Sequence, residues 1–345
     1  MDTTINTVGL FLGKFAPLHL GHQLVIETAL KEMDQVIVII YDSPQVTSIP
    51  LNVRARWIRS LYPKTVVIEG WDGPPDVGNT PEICKKQEKY ILGILKGTKI
   101  THFYSSEFYG DHMSRALGAK NRIVDDTRKH FPISATEIRN DSYIHRSYVS
   151  PVVYKDLIIN IVFLGAPSTG KTTIAQQLAK IFDTTWMPEY GREYWDRHQV
   201  NRRLTVDQLL EIAEGHIERE DALLLQSNKL LFTDTNAITT LMFSLSYHGN
   251  AHDKLRHLAS IAEKRYDLFF LCDTDIPYDD TWDRSGDTDR ITFQKQIIAD
   301  LKVRRIPYLI LKGNLETRIR TVQSILSRFQ KYDNVLEHTS SGGIA

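Results

Sequence analysis

Two short stretches of the chain carry side chains whose types and spacing suit phosphate chemistry. The first is Gly13-Lys14-Phe15-Ala16-Pro17-Leu18-His19-Leu20-Gly21-His22, a GxFxPxHxGH pattern. It follows an apolar run and opens a helical pattern at about Gly21. His19 and His22, three residues apart, then share one face and point into one cleft. Two imidazoles beside the positive end of a helix dipole can donate hydrogen bonds to the α- and β-phosphates of ATP. Their value is greatest when an in-line attack on the α-phosphorus places extra negative charge there. Lys14 adds a point charge, and Gly13, Phe15 and Gly21 shape the ATP-binding turn. A zinc reading of HxxH needs a third ligand, and no HExxH or cysteine cluster supplies one. The plainer alternative is a pair of satisfied histidines on a core helix.

The second stretch is Gly165-Ala166-Pro167-Ser168-Thr169-Gly170-Lys171-Thr172, followed by Thr173. A GxxxxGKT run between the apolar segment Ile159–Leu164 and a helical pattern is a strand, a phosphate loop and a helix start. Gly165 and Gly170 let the backbone curl so that successive amides point at phosphate oxygens. Lys171 reaches the β- and γ-phosphates, and the Thr172 hydroxyl joins a Mg²⁺ shell. Such a loop needs an acidic residue at the end of a neighbouring strand, and Leu230-Leu231-Phe232-Thr233-Asp234 offers one. Asp at a strand end is also a common turn residue.

Three further segments join these. In Phe131-Pro132-Ile133-Ser134-Ala135-Thr136-Glu137-Ile138-Arg139, a loop runs into a helix that Ser134 can cap. Ile133, Ser134 and Thr136 would contact ATP, and Arg139 would reach toward the same anion. In Pro188-Glu189-Tyr190-Gly191-Arg192-Glu193-Tyr194-Trp195, Glu189 could accept a proton from a substrate hydroxyl. Tyr190, Arg192 and Trp195 would bind that substrate, the aromatic rings stacking on a flat ring. A helix N-terminal acid beside ordinary core aromatics is the alternative. Tyr278 to Arg290 is too polar for a core element, and Arg284 and Arg290 suit a lid closing over phosphates. A solvated loop would look the same. No TKxD or NKxD guanine signature is present, so this half reads as a small-molecule kinase rather than a GTP switch.

Positioning these residues requires strands that alternate with helices, the pattern of parallel α/β domains. Strands are expected at Val8–Leu12, Val36–Tyr41, Val66–Glu69, His102–Ser105 and Arg122–Val124, with helices at Leu24–Met33, Val53–Leu61 and Pro81–Leu95. In the second half, strands are expected at Leu157–Leu164, Lys229–Thr233, Leu268–Cys272 and Pro307–Leu311, with a short one before Pro188. Helices are expected at Thr172–Phe182, Thr205–Ser227, Ala237–Tyr247, His252–Lys264, Ile291–Val303 and Leu315–Phe329. The boundary falls in Asn140–Asp156, which lacks clear periodicity and contains Ser150-Pro151. This divides the chain into residues 1–145, a linker at 146–156, a second domain at 157–332 and a disordered tail at 333–345.

Bulk properties agree with that division. At 345 residues the chain can form two domains with separate cores. Lys+Arg and Asp+Glu both number 42, so nothing points to nucleic acid or an anionic membrane as a partner. Of the basic clusters Arg54/Arg56/Arg59, Arg202/Arg203 and Arg304/Arg305, only the first sits where it could meet phosphate. Cys84 and Cys272 are isolated, which suits a reducing compartment. With neither a signal peptide nor a run of ~20 apolar residues, the expectation is a cytoplasmic protein.

The GxFxPxHxGH pattern with the distant Ile133-Ser134-Ala135-Thr136-Glu137-Ile138-Arg139 resembles the nucleotidylyltransferase superfamily. With a phosphate-loop domain behind it, with Tyr104-Ser105-Ser106-Glu107 and with Pro188 to Glu193, almost the whole chain resembles the NadR family. The resemblance implies a Rossmann-like nucleotidylyltransferase domain followed by a P-loop NTPase domain of nucleoside-kinase type. It implies phosphorylation of nicotinamide riboside to nicotinamide mononucleotide in the second domain. Adenylyl transfer from ATP, giving NAD and pyrophosphate, is implied in the first. The attacking phosphate is already ionised, so catalysis there should come from positioning and charge stabilisation. Asn52, Arg54 and Trp57 occupy the region where such enzymes bind the second substrate, and Trp71 is another stacking candidate. A core role serves either tryptophan equally well. Some family members carry an N-terminal helix-turn-helix domain and act as repressors; none fits before the first strand, so no transcriptional role is expected. Another acceptor, such as a pantetheine phosphate, and a nucleotide sensor without turnover are the competing readings. A homo-oligomer is left open.

Overall fold

The run Val36-Ile37-Val38-Ile39-Ile40 is buried throughout, as a strand with neighbours on both edges and helices on both faces must be. The computed structural model describes residues 6–74, 78, 80–106, 110–200, 204–278 and 290–333. Within it the chain divides into two compact units, Met1–Tyr154 and Lys155–Ala345.

In the first unit the strands are β1 (Val8–Gly13), β2 (Gln35–Tyr41), β3 (Val66–Gly70), β4 (His102–Ser105) and β5 (Lys120–Ile123). They form a parallel sheet in the order β3-β2-β1-β4-β5. The strand order reverses beside β1, so the loop after Gly13 leaves the sheet at its topological switch point, where open α/β sheets bind ligands. Helices α1 (Leu20–Glu32), α2 (Leu51–Leu61), α3 (Pro81–Leu95), α4 (Gly110–Leu117) and α5 (Ala135–Asn140) connect or follow these strands. Leu10, Ile37, Ile39, Ile91 and Phe103 lie at the centre of one core on this sheet.

Helix α6 (Pro151–Leu157) leads into the second unit. Its strands are β6 (Ile159–Leu164), β7 (Trp186–Met187), β8 (Leu230–Asp234), β9 (Leu268–Cys272) and β10 (Leu309–Leu311), parallel and ordered β10-β9-β6-β8-β7. The helices are α7 (Lys171–Ile181), α8 (Tyr190–His198), α9 (Val206–Leu224), α10 (Ala237–His248), α11 (Asp253–Ala262), α12 (Arg290–Val303) and α13 (Leu315–Leu326). Two cores cover the two faces of the sheet, one around Val162, Leu164 and Leu271, the other around Phe163, Phe232 and Phe270.

The sheets follow the sequence pattern closely, and His102–Ser105, Pro81–Leu95 and Leu268–Cys272 have the expected bounds. Differences fall where periodicity gives no signal. α1 begins at Leu20 rather than Leu24 because His19 caps it. The eight-residue α4 was not expected, and the polar α8 entered only through the alternative reading of Glu189 as a helix N-terminal acid. The expected linker contains a 3-10 turn at Arg146–Tyr148 and α6, whose seven residues are too few to show a period. The tail beyond Asp333 lies outside the described residues.

Candidate active sites

Position by position, the first site is built from a turn and two helix caps. The Gly21 amide donates to His19 Nδ1 at 3.2 Å, and the His19 amide donates to His22 Nδ1 at 3.4 Å, a reciprocal cap on α1. Both Nδ1 atoms are therefore acceptors, so each neutral ring carries its proton on Nε2 and remains a donor there. The rings stack with centroids 3.7 Å apart. Burial, with the positive Arg128 close by, pushes His19 down to about 4. Burial, then His19 and Arg128, holds His22 well below the usual imidazole value. Both rings are thus neutral donors at pH 7.

Gly13 and Gly21 are required by this packing. A Cβ on Gly13 would meet the Phe15 ring at 2.8 Å, and one on Gly21 would meet the His19 ring at 3.0 Å. Phe15 is buried and packs edge-on against His22 at 5.0 Å, so it supports the imidazole from beneath. Arg139 Nη1 donates to the Ala16 carbonyl at 2.5 Å and Nη2 to Thr136 Oγ1 at 2.9 Å. The element 123 residues downstream is thereby tied to the first motif. Burial and then the charge of Arg139 lower the Lys14 ammonium, so two cations are held close together. Ser134 and Glu137 cap α5 reciprocally, Glu137 N reaching Ser134 Oγ at 3.2 Å and Ser134 N reaching Glu137 Oε2 at 2.8 Å. Ile133 is buried and Thr136 exposed.

The second-substrate candidates of this unit separate by burial. Arg54 is fully buried and donates to the carbonyls of Lys14 at 2.5 Å, Tyr41 at 2.9 Å and Ile49 at 3.0 Å, with Asp42 at 3.5 Å. Its guanidinium holds the phosphate turn from behind and does not face a ligand. Trp57 is equally buried and belongs to the core. Asn52 is exposed on α2, and Trp71 is 56% exposed with its indole on Glu69 at 3.1 Å. Arg128, beside both imidazoles, was missed; one arginine in a loop gives no sequence signal.

In the second unit the phosphate loop lines a cleft of about 450 Å³ through Pro167 to Thr173. Gly165 sits at φ 141° with the Cys272 carbonyl 2.7 Å from where a Cβ would stand, and Gly170 at φ 83°. Ala166 and Gly165 lie behind the lining. The Ala166 amide donates to Gln294 Oε1 at 2.8 Å, and Gln294 Nε2 donates to the Cys272 carbonyl at 3.0 Å. Buried Arg318 donates to Thr169 at 2.6 Å, Gly313 at 2.9 Å and Asp273 at 3.1 Å, all carbonyls, and pairs with the Asp275 carboxylate. Neither Gln294 nor Arg318 was expected. Arg318 interrupts the buried stripe of α13 one turn before Val322, a signal that could have marked it.

Lys171 Nζ donates to the carbonyls of Gly165 and Ala166, both at 3.0 Å, and so lies folded over the loop. Thr172 Oγ1 donates to Asp234 Oδ2 at 2.5 Å. Asp234 is fully buried, and its Oδ1 has no hydrogen-bond partner among the described residues. Burial and then the charge of Glu189 raise its carboxyl to about 6, opposed by Lys171, Thr172 and Arg192. An unpartnered carboxylate oxygen beside a hydroxyl, below a phosphate loop, fits a hard divalent cation that shares its shell with phosphate and water.

Glu189 is the N-terminal cap residue of α8 and lines the cleft, with Arg192 Nη2 at 3.7 Å. Trp195 also lines it, whereas Tyr190 turns onto Gly215 under the Arg219 guanidinium at 3.9 Å and lies outside the lining. Arg290 donates to the carbonyls of Ser168 at 2.9 Å and Ile276 at 3.0 Å, bracing the loop. Arg284 lies outside the described residues. Leu209, Ile212 and His216 from α9, with Asn236, Thr239, Phe243 and Tyr247 from α10, complete the wall and were not expected. They come from two helices and gather only on folding. Among the described residues, no helix is long and apolar enough to cross a membrane.

Comparison with known proteins matches both halves. A cytidylyltransferase-like family model covers residues 10–141, and an AAA domain model covers residues 160–318. The trifunctional NAD biosynthesis/regulator protein NadR of Salmonella typhimurium is 28% identical over 331 residues, which is 89% of this chain and 79% of that protein. A crystal structure of NadR protein in complex with NAD and AMP-PNP shares the fold at a TM-score of 0.56 and 20% identity, covering 93% of this chain and 96% of the other. A NadR structure in complex with NR gives a TM-score of 0.55 at 22% identity, with 93% and 95% covered. Both matched domains stand in the order expected of a chain similar to NadR proteins along most of its length.

Proposed function

We propose that this chain carries out two consecutive steps of NAD salvage, the second using the product of the first. The observation that carries this reading is a pair of chemically different side-chain groups suited to phosphate, one in each unit. One joins Thr172 to a buried carboxylate whose other oxygen has no hydrogen-bond partner among the described residues, with Lys171 folded over the same loop. The other groups two neutral imidazole donors with Lys14 and Arg139. NadR relatives named for NAD biosynthesis, and NadR structures holding NAD with AMP-PNP or NR, are the substrate precedent.

Residues 157–332 would form the kinase. The 5′-hydroxyl of nicotinamide riboside attacks the γ-phosphorus of ATP, its proton passes to the Glu189 carboxylate, and the bond to ADP breaks. Amides of the phosphate loop and Lys171 hold the transferring group in line. Thr172 and Asp234 would hold Mg²⁺, which supplies charge neutralisation on the β- and γ-oxygens when bound. Trp195, Phe243 and Tyr247 give the flat, cationic nicotinamide ring an aromatic surface.

Residues 1–145 would form the adenylyltransferase, with 146–156 joining the two. A phosphate oxygen of nicotinamide mononucleotide attacks the α-phosphorus of ATP, and pyrophosphate leaves. Nε2–H of His19 and His22, with Lys14 and Arg139, would take up the charge that develops there. We place the enzyme in the cytoplasm, a reducing compartment that suits its two free cysteines. The test is a product assay with Mg·ATP and either nicotinamide riboside or the mononucleotide. Mononucleotide should appear from the first and NAD from both; no product from either substrate rejects the proposal.

A further inference from the structure

The Gly165 carbonyl and the Ala166 amide belong to one peptide unit, and a different side chain holds each end of it. Lys171 Nζ donates to the carbonyl at 3.0 Å, and the amide donates to Gln294 Oε1 at 2.8 Å. A trans peptide is planar, so its C=O and N–H point in opposite directions. Whatever fixes the amide therefore aims the carbonyl, and with it the resting place of the ammonium group. The next carbonyl, that of Ala166, accepts from Lys171 Nζ at 3.0 Å and from Thr169 Oγ1 at 2.8 Å.

Gln294 is itself fixed at both polar atoms. It is 5% exposed on α12, and its Nε2 donates to the Cys272 carbonyl at 3.0 Å. A carbonyl only accepts and an amide N–H only donates, so turning the side chain over would set like groups face to face at both ends. Cys272 is the last residue of β9, and its carbonyl stands 2.7 Å from where a Cβ on Gly165 would be. The end of the sheet, Gln294 and the loop therefore meet at one place. Arg290, four residues earlier, donates to the carbonyl of Ser168 at 2.9 Å. Positions four apart share a helix face, so α12 grips the loop on either side of Pro167. The other buried residues of α12 include Phe293, Ile297 and Leu301. An amide among them costs free energy unless it is bonded, so Gln294 serves through its hydrogen bonds rather than its volume.

We propose that Gln294 is a positioning residue of the kinase: by orienting the Gly165–Ala166 peptide it sets where Lys171 meets the phosphates of ATP. This rests on the kinase reading above. Gln294 touches no reacting atom and acts only through the loop.

The test compares wild type with Gln294→Met, Gln294→Glu, Lys171→Ala and the double variant Lys171→Ala with Gln294→Met, each assayed well below its Tm. Methionine matches glutamine in length and makes neither bond. Gln294→Met should lower kcat/KM for ATP in riboside phosphorylation by about tenfold, the scale of a hydrogen bond taken from a buried partner. Glutamate can make both bonds only as the neutral acid; ionised, it accepts from Ala166 but opposes the Cys272 carbonyl. Burial and that carbonyl raise its carboxyl above the usual ~4.3. Relative to wild type, Gln294→Glu should therefore gain activity severalfold as pH falls from about 8 to about 6, which a space-filling role would not produce. Calorimetric titration with Mg·ATP gives a readout that needs no acceptor. The binding component that Lys171→Ala weakens should also weaken in Gln294→Met, and the double variant should bind no worse than Lys171→Ala alone. Wild-type kinetics in Gln294→Met would overturn the proposal, as would a constant ratio of Gln294→Glu to wild type across pH, or additive losses in the double variant. If wild type phosphorylates no riboside, the kinase reading falls, and the titration alone decides the role of Gln294.

Discussion

Arg54 Nη1 donates to the Lys14 carbonyl at 2.5 Å from a fully buried position. The backbone of the first phosphate turn is therefore fixed by a side chain that no ligand reaches. Arg54→Met would leave the carbonyls of Lys14, Tyr41 and Ile49 without this donor. A loss of about 3–5 kcal/mol in urea unfolding of the first unit is expected, with adenylyl transfer falling alongside. Asn52→Ala on the same helix should leave stability within about 0.5 kcal/mol, because Asn52 is exposed. Equal stability of the two variants would contradict the clamp.

Lys171→Ala should abolish riboside phosphorylation and spare NAD formation from the mononucleotide, both followed by product chromatography. Lys171 donates to loop carbonyls of its own unit, so its loss is expected in the kinase reaction. Parallel loss of both activities would show that the sites do not work independently.

His22→Ala should do the reverse, lowering adenylyl transfer by about 10²–10³-fold, as for other donors to a developing charge. His22→Asn tests the donor role, since an amide N–H can partly replace Nε2–H, and should recover part of the loss. An unchanged rate in the alanine variant removes His22 from catalysis.

Acid should weaken the first unit through the same rings. His19 has a folded value near 4 against an ordinary value of 6.5. Below pH 6.5 the unfolded chain takes up a proton that the folded chain refuses, so stability falls as pH drops from 6.5 to about 4 and levels below that. His22 is lowered in the same direction and adds to the effect. Urea midpoints at pH 7, 5.5 and 4.5 should decline for wild type and decline less for His19→Asn, which keeps a side chain able to cap α1. Identical slopes would show that these imidazoles are not buried neutral.

Arg318→Met should raise KM for ATP in the kinase reaction more than it lowers kcat, because Arg318 holds Thr169 and Gly313 in place without reaching the cleft. An effect confined to kcat would mean that it touches the reacting groups.

Sequence by itself determined both sheets and both phosphate turns. An apolar run, a glycine-bearing turn and a helical period are local, and local spacing encodes them. It also brought forward His19, His22, Arg139, Lys171, Thr172 and Asp234, because their motifs are short or their place at a strand end is legible. Tertiary structure decided what lay between distant elements. Arg54 and Trp57 read as ligand contacts from their position on α2, but that helix turns them inward, where one clamps the turn and the other fills the core. Tyr190 and Trp195 share one motif, yet only Trp195 faces the cleft, since Tyr190 fits against Gly215 on α9. Gln294 and Arg318 gain meaning only through packing, each bracing the phosphate loop from a distant helix. Whether a buried polar atom finds a partner depends on which elements meet, and adjacency along the chain carries no record of that.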